Sequence, residues 1–231
     1  IDKAAEHFRN AIKLNPDYVD AHSDLLHTEQ YRVGVTPERL KDLHVEWDEQ
    51  HGVQFHSEWP RHKNSRDPVR PIRVGLVSPY LRGHPVGYFV IDFLKYRPTE
   101  EIKVICYFGG KRDDMTERLM NLSDQWVDTR DASDEELTRR IRSDKIDILI
   151  DLAGHEPGNR LLVFARKPAP IQIEWVAYVG TTGLSAMDYL MADRWHVPEG
   201  EEYHYTEKIF RLPNGYHSYE PPEYAPAVGP L

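Results

Sequence analysis

Three short polar segments of the sequence carry side chains that could act in catalysis or hold a ligand. The first contains His84, between Gly83 and Pro85. Gly83 permits an unusual backbone angle and Pro85 suits the first turn of a helix, so we predict His84 at a helix N-terminus. The helix dipole would keep the imidazole neutral there, able to take a proton from a hydroxyl or to donate a hydrogen bond to a sugar or phosphate. A capping or packing role is the alternative.

The second segment places Asp151 four residues before His155, with Gly154 between them for a sharp turn. The carboxylate could orient an imidazole or share a proton with an acceptor, or it could simply cap a turn. Two potential ligands without a third at fixed spacing are too few for a metal site, so we predict none. We expect His84 and His155 to face one sugar-sized crevice.

The third segment is a loop in which Gly180 and Gly183 bracket Thr181 and Thr182. Such a loop can bring backbone N–H groups close to a phosphate or a sugar. It is not a P-loop, because no Lys-Ser or Lys-Thr pair follows Gly183, and the chain contains no Gly-x-Gly-x-x-Gly. The sequence therefore indicates a ligand crevice without a recognised nucleotide fingerprint.

Residues 72–231 alternate short apolar runs with helical patterns. The predicted strands are 72–77, 104–108, 146–152, 171–178, 189–192 and 208–212, and the predicted helices are 86–96, 115–122, 133–143 (with a Ser133/Glu136 capping box) and 159–166. This alternation predicts an α/β fold, a Rossmann-like and mostly parallel sheet covered on both faces. Ligands of such sheets bind beyond the carboxyl ends of the strands, where all three polar segments lie.

Residues 1–53 carry apolar side chains at helical spacing. We predict that Asp17 caps the second helix of this segment and Thr36 the third. The pattern resembles the end of a tetratricopeptide repeat, although a plain helical hairpin would show the same spacing. Residues 54–71 are polar and contain prolines, and we interpret them as a linker.

The composition of the chain limits which binding partners and which cellular compartment we expect for the protein. A formal net charge of −9 disfavours non-specific nucleic-acid binding, and no basic run is long enough to predict attachment to an anionic membrane. No apolar run approaches the roughly 20 residues of a membrane span, so we expect no membrane association. The lone cysteine, Cys106, lies in an apolar stretch and suggests a buried thiol in a reducing cytoplasm.

Four segments, in order, resemble the O-linked N-acetylglucosaminyltransferase family, glycosyltransferase family 41, which includes the SPINDLY-type protein O-fucosyltransferases. The matching stretches are 73–78 with His84-Pro85 after it, 147–155, 166–172, and 175–183 followed by 187–189. One such stretch alone would be weak evidence for the family. Four of them in the right order, after a tetratricopeptide-like helical start, make the resemblance strong.

The resemblance implies repeat helices followed by a two-lobed GT-B core, of which residues 72–231 would be the N-terminal lobe. It implies inverting transfer of a sugar from UDP-N-acetylglucosamine, or GDP-fucose in the SPINDLY branch, to Ser or Thr hydroxyls of a protein or peptide, without a metal or other cofactor. Under it, His84 is a candidate base near the sugar, and Asp151 with His155 forms a second polar pair of the cleft. Thr181 and Thr182 match a loop near the donor.

The sequence departs from the family pattern at Val179, where the family usually has proline. It also ends at Leu231, where the resemblance implies that a C-terminal lobe begins, so we expect residues 1–231 alone to bind nucleotide weakly. The leading hypothesis is a glycosyltransferase, and the alternative is a non-catalytic scaffold whose helices hold a peptide or partner chain.

Overall fold

The structure is a computed structural model that describes residues 1–221, 225–227 and 229. The predicted end of the lobe at residue 231 lies outside the described residues. Among the described residues, no helix is long and apolar enough to cross a bilayer.

One seven-stranded sheet, parallel throughout, forms the centre of the molecule. Its strands are β1 (Ile72–Ser78), β2 (Ile102–Phe108), β3 (Gln125–Asp128), β4 (Ile148–Asp151), β5 (Ile171–Glu174), β6 (Tyr189–Ala192) and β7 (Lys208–Arg211). They lie side by side in the order β3-β2-β1-β4-β5-β6-β7. The predicted α/β fold with a Rossmann-like parallel sheet is therefore confirmed.

Strands β3 and β5 depart most from the prediction, and the ends of the other strands lie within two residues of the predicted ends. We did not predict β3, because four residues with a polar residue at each end give little periodic signal. The predicted strand 171–178 was too long, since β5 ends at Glu174. Val176 has a φ of 71°, and this left-handed backbone ends the extended run despite the β-branched side chain.

Within the described residues, seven α-helices accompany the sheet: α1 (Asp2–Leu14), α2 (Val19–Gln30), α3 (Pro37–Trp47), α4 (Pro85–Tyr96), α5 (Asp114–Leu122), α6 (Asp134–Ser143) and α7 (Leu161–Ala165). The predicted caps Thr36 of α3 and Ser133 of α6 are confirmed. The predicted cap Asp17 is wrong: α2 begins after Tyr18 and has no side-chain cap. A π turn (Asp48–Gly52) and a 3₁₀ turn (Val53–Glu58) continue the chain after α3, so helical structure extends into the predicted linker.

The strand order places a topological switch point between β1 and β4. The chain first builds outward from β1 to β2 and β3, then crosses back to β4 on the other side of β1. In sheets of this kind ligands bind beyond the carboxyl ends of the strands at such a point, so the loops after β1 and β4 are where a ligand site is expected.

The helices of residues 1–58, termed the helical segment below, share a core with the sheet. Leu26 and Trp47 of this segment are fully buried in one cluster with Leu149, Phe164 and Leu184 of the α/β part. The helical segment is therefore packed against the α/β part as one continuous apolar layer, and its position decides which strand-end loops remain open.

Candidate functional site

His84 lies at the switch point, as the N-cap of α4. Its Nδ1 accepts a hydrogen bond from the backbone N–H of Val86 at 3.3 Å, and its ring stacks on that of Tyr80 with 4.4 Å between centroids. Burial, with a smaller contribution from the Arg82 charge, lowers the pKa of His84, so the imidazole is neutral at pH 7. Because Nδ1 accepts, the proton lies on Nε2 and His84 presents a hydrogen-bond donor.

Three loops hold His84 in place. The hydroxyl of Ser78, at the end of β1, donates to the carbonyl of Leu152 beyond β4 at 3.1 Å. The Tyr80 hydroxyl likewise donates to the carbonyl of Pro157 at 2.8 Å. The N–H of Gly83 donates to Asp113, the residue that caps α5, at 2.7 Å. The loops after β1, β2 and β4 are thereby tied together around the imidazole.

Glu156 completes what we call the open crevice, defined by Tyr80, His84 and Glu156. Its half-buried carboxyl group lies beside Tyr80, and burial raises its pKa. Burial and the Glu156 charge also raise the pKa of Tyr80. Neither residue was predicted from the sequence, although Tyr80 lies in the same strand-end loop as His84 and Glu156 directly follows His155.

Asp151 has no exposed surface. It accepts from the N–H of Gly154 at 2.9 Å, which fixes a turn where Gly154 has a φ of 54°. This is the turn-capping role that the sequence left open as an alternative.

The carboxyl group of Asp151 also faces Glu174, its register neighbour on β5. Burial raises the pKa of Asp151, and burial with the Asp151 charge raises that of Glu174 well above its usual value. Both Glu174 oxygens are buried without a hydrogen-bond partner among the described residues, so burial and the neighbouring Asp151 charge favour the protonated, neutral form of Glu174. Glu174 was not foreseen, because only the β4–β5 register brings it to Asp151.

His155 lies inside the contact with the helical segment. Its Nε2 donates to the carbonyl of Thr182 at 2.8 Å, its Nδ1 accepts from the Ser23 hydroxyl at 3.2 Å, and the ring is fully buried. It packs edge-on against Trp47 and His44 at 5.1 and 5.0 Å between centroids. The expectation that His84 and His155 face one crevice is wrong, because docking of the helical segment leaves His155 no open side.

The loop from Gly180 to Gly183 already holds an anion of the chain itself. The Thr181 hydroxyl donates to Glu207 at 2.6 Å, and the N–H of Thr182 donates to the same carboxylate at 2.7 Å. The Thr182 hydroxyl also donates to it. The loop chemistry is that of an anion cradle, as the sequence indicated, but in this structure Glu207 occupies the position that we expected for a phosphate.

Gly183 shows how tightly this loop meets the helical segment. It has a φ of 73°, and a Cβ added there would lie 2.2 Å from the carbonyl oxygen of His44. We call His155 together with Thr182 and Gly183 the sealed region. On its outer side, Gly180 and Thr181 line a cavity of about 290 Å³ with Gln30 and Lys41 of the helical segment.

No group of three or more His, Cys, Asp or Glu residues is arranged to hold a metal ion within the described part of the chain. Cys106 is buried in β2, and burial raises the pKa of its thiol.

With this geometry in view, comparisons with known proteins identify the family. The sequence model of glycosyl transferase family 41 matches residues 43–220. The chain belongs to this family. It is 31% identical over 228 residues to a tomato (Solanum lycopersicum) protein named probable UDP-N-acetylglucosamine–peptide N-acetylglucosaminyltransferase SPINDLY, which covers 95% of the chain and 24% of that protein. It is also 31% identical over 146 residues, or 62% of the chain, to the Caenorhabditis elegans UDP-N-acetylglucosamine–peptide N-acetylglucosaminyltransferase.

A solved structure of a mutant O-GlcNAc transferase from Thermobaculum terrenum has the same architecture. The two superpose with a TM-score of 0.92 at 37% identity, covering 99% of this family 41 chain and 44% of the other. The chain thus spans about a quarter of the length of its SPINDLY relatives and under half of the solved structure. The similarity includes the helical segment as well as the sheet.

Proposed function

We propose that the chain forms the first lobe of an enzyme that transfers N-acetylglucosamine from UDP-N-acetylglucosamine to Ser or Thr hydroxyls of proteins. Family membership and the activities for which the relatives are named support a sugar transferase. The structural observation that carries the proposal is His84, neutral and half-buried at the switch point between β1 and β4.

In the proposed reaction, the acceptor hydroxyl oxygen attacks the anomeric carbon of the sugar with inversion. The bond from that carbon to the diphosphate breaks, UDP leaves with the electron pair, and the hydroxyl proton passes to a base. The Nδ1 of His84 is used by the α4 cap, and its Nε2–H makes no hydrogen bond within the described residues. We therefore assign His84 a donor role toward a donor-substrate oxygen, in preference to the base role that the resemblance implied.

The remaining binding groups of the nucleotide belong, under this proposal, to a C-terminal lobe, as the family resemblance implies. The helical segment would then be the end of a tetratricopeptide-like array that presents the acceptor protein. A reducing cytoplasm suits the unpaired thiol of Cys106 and the Ser or Thr acceptors of intracellular proteins.

The test is a transfer assay on the full natural protein with UDP-N-acetylglucosamine and GDP-fucose in parallel, using a library of Ser/Thr peptides. We expect transfer from the UDP sugar, and we expect His84→Ala to lower kcat/KM about 10²-fold, a loss typical of a positioned polar group. His7→Ala, an exposed histidine of α1, is the matched control and should leave the rate unchanged. Transfer from GDP-fucose alone would replace the donor assignment. Absence of transfer from both donors would favour the scaffold alternative.

A further inference from the structure

A concentration of positive charge lies at the amino-terminal edge of the sheet, opposite the candidate site. Residues 59–70 run along this edge, tied to it by Asn64, whose amide donates to the carbonyls of Lys145 and Ile146. Two adjoining hollows of about 220 and 320 Å³ lie along this stretch and share His62 and Asn64 as lining residues. Six Lys and Arg residues line them together with one acidic residue, Asp147. The five of these cations other than Arg70 are termed the basic cleft: Arg61, Lys63, Arg66, Arg142 and Lys145.

The cations of the basic cleft lack acidic partners. Nearby cations are neutralised, since Arg70 pairs with Asp147 and Lys167 with Asp188. In contrast, no basic-cleft residue forms an ion pair within residues 1–221. The whole chain carries a formal charge of −9, so this edge is a positive exception on an acidic protein. Charge left unpaired in a concave surface attracts an anionic partner.

Two further observations indicate that part of this positive charge is buried and not simply exposed to solvent. The Nε of Arg142 is buried and has no partner among the described residues, while its Nη2 donates to the carbonyl of Arg166 at 2.8 Å. Burial lowers the pKa of His62, and the charges of Lys167 and Arg142 lower it further, while the charge of Asp188 opposes them.

The backbone conformation of Lys145 is a further unusual feature of the basic cleft. Lys145 follows α6 with a φ of 52°, a left-handed conformation that favours glycine. The negative end of the helix dipole offsets part of the strain of a lysine there. Lys167, after α7, repeats the arrangement with a φ of 47°. The chain thus carries lysine at two strained positions on the same edge of the sheet.

We propose that the basic cleft binds an extended, acidic segment of a partner protein, with carboxylates against Arg61, Lys63 and Lys145. The hollows are small and walled by prolines, including Pro60, Pro168 and Pro170, which suits a single extended chain. A long polyanion such as a nucleic acid would also meet the acidic remainder of the surface, which favours a short peptide segment.

The test uses residues 1–231 and a fluorescently labelled peptide of alternating Glu and Gly, with binding followed by polarisation at increasing salt. We expect binding that weakens as salt rises. The triple variant Arg61→Glu/Lys63→Glu/Lys145→Glu should weaken it at least about 10-fold. The control Lys3→Glu/Lys13→Glu/Lys111→Glu changes the net charge equally at exposed positions elsewhere and should have a much smaller effect.

A second variant separates binding from folding. Lys145→Gly removes one cation and relieves the left-handed strain, so it should weaken the peptide about threefold while leaving the unfolding midpoint unchanged or higher. No peptide binding, equal losses in the triple variant and its control, or equal binding of a single-stranded oligonucleotide of the same charge would each overturn the proposal.

Discussion

The open crevice and the sealed region lie at the same edge of the sheet, yet they differ in burial and in whether their polar groups have hydrogen-bond partners. In the open crevice, His84 is half-buried and its Nε2–H has no partner among the described residues. In the sealed region, both ring nitrogens of His155 are hydrogen-bonded and Thr182 donates twice to Glu207. The difference comes from the helical segment, which covers the sealed region. A position at the end of a strand makes a residue a candidate for catalysis or binding. Whether a ligand can reach that residue depends on the helix or loop that packs beside it.

Among the substitutions that test the contrast between the two regions, one at Gly183 is expected to change the stability of the protein most. Gly183→Ala adds a Cβ 2.2 Å from the carbonyl oxygen of His44 and forces alanine into a φ of 73°. We expect the free energy of unfolding to fall by about 4 kcal/mol or more, from the clash and the backbone strain together. Denaturant unfolding of residues 1–231 measures it.

Gly200→Ala is the matched control for Gly183→Ala. Gly200 also has a positive φ, of 90°, but nothing lies within 4 Å of the added Cβ. Gly200→Ala should lower the free energy of unfolding only through the strained backbone of the alanine, by about 1–2 kcal/mol. Equal losses in the two variants would mean that the loop is not pressed against the helical segment.

Removal of Glu207 is expected to have the next largest effect. Glu207→Ala leaves the hydroxyls of Thr181 and Thr182 and the N–H of Thr182 without their buried acceptor. We expect a loss of about 3 kcal/mol in unfolding free energy. Glu207→Gln keeps an acceptor oxygen and should lose less. Glu199→Ala, at an exposed position, should be neutral. An unchanged stability of Glu207→Ala would show that the loop can satisfy its donors with another anion.

The buried histidines predict a pH dependence of stability. Burial lowers the pKa of His44 from 6.5 to about 4. The unfolded chain therefore binds a proton at this position at a higher pH than the native protein does. Its contribution is complete above about pH 6.5, is lost as the pH falls toward 4, and amounts to at most about 3 kcal/mol.

Other groups near His44 also titrate, so a difference measurement isolates it. His22 and His155 act in the same direction because burial lowers the pKa of both, whereas the raised pKa values of Asp151 and Glu174 act in the opposite direction. Between pH 6.5 and 4, unfolding free energy should rise less steeply with pH in His44→Gln than in the parent, by up to about 1.4 kcal/mol per pH unit. Parallel pH profiles would mean that His44 is accessible to protons in the native state.

Local sequence signals were sufficient for the fold class and for most of the strands and helices. Strand β6 has the predicted bounds, and the capping box of Ser133 and Glu136 begins α6. These elements depend on neighbouring residues, so their periodicity and cap chemistry are visible in the sequence. Strand β5 was predicted too long because the left-handed backbone of Val176 depends on tertiary packing.

The site was only partly predictable, for the same reason. The position of His84 at a helix N-terminus follows from the residues on either side of it, whereas its role in transfer stays a prediction. The partner of Thr182 is Glu207, 25 residues away, and that of His155 is Ser23, 132 residues away. Nothing in the spacing of the loop from Gly180 to Gly183 reveals that a carboxylate from before β7 fills it.

The most direct measurement of the contrast between the two regions is histidine modification by diethyl pyrocarbonate at neutral pH, with each site quantified by mass spectrometry. The reagent modifies uncharged imidazoles that solvent can reach, and its reaction does not depend on any enzymatic activity. We expect His84 to be modified in the native protein, while His44 and His155 stay protected until denaturant is added. Modification of His155 at the rate of His84 in the folded protein would contradict the assignment of one open and one sealed region.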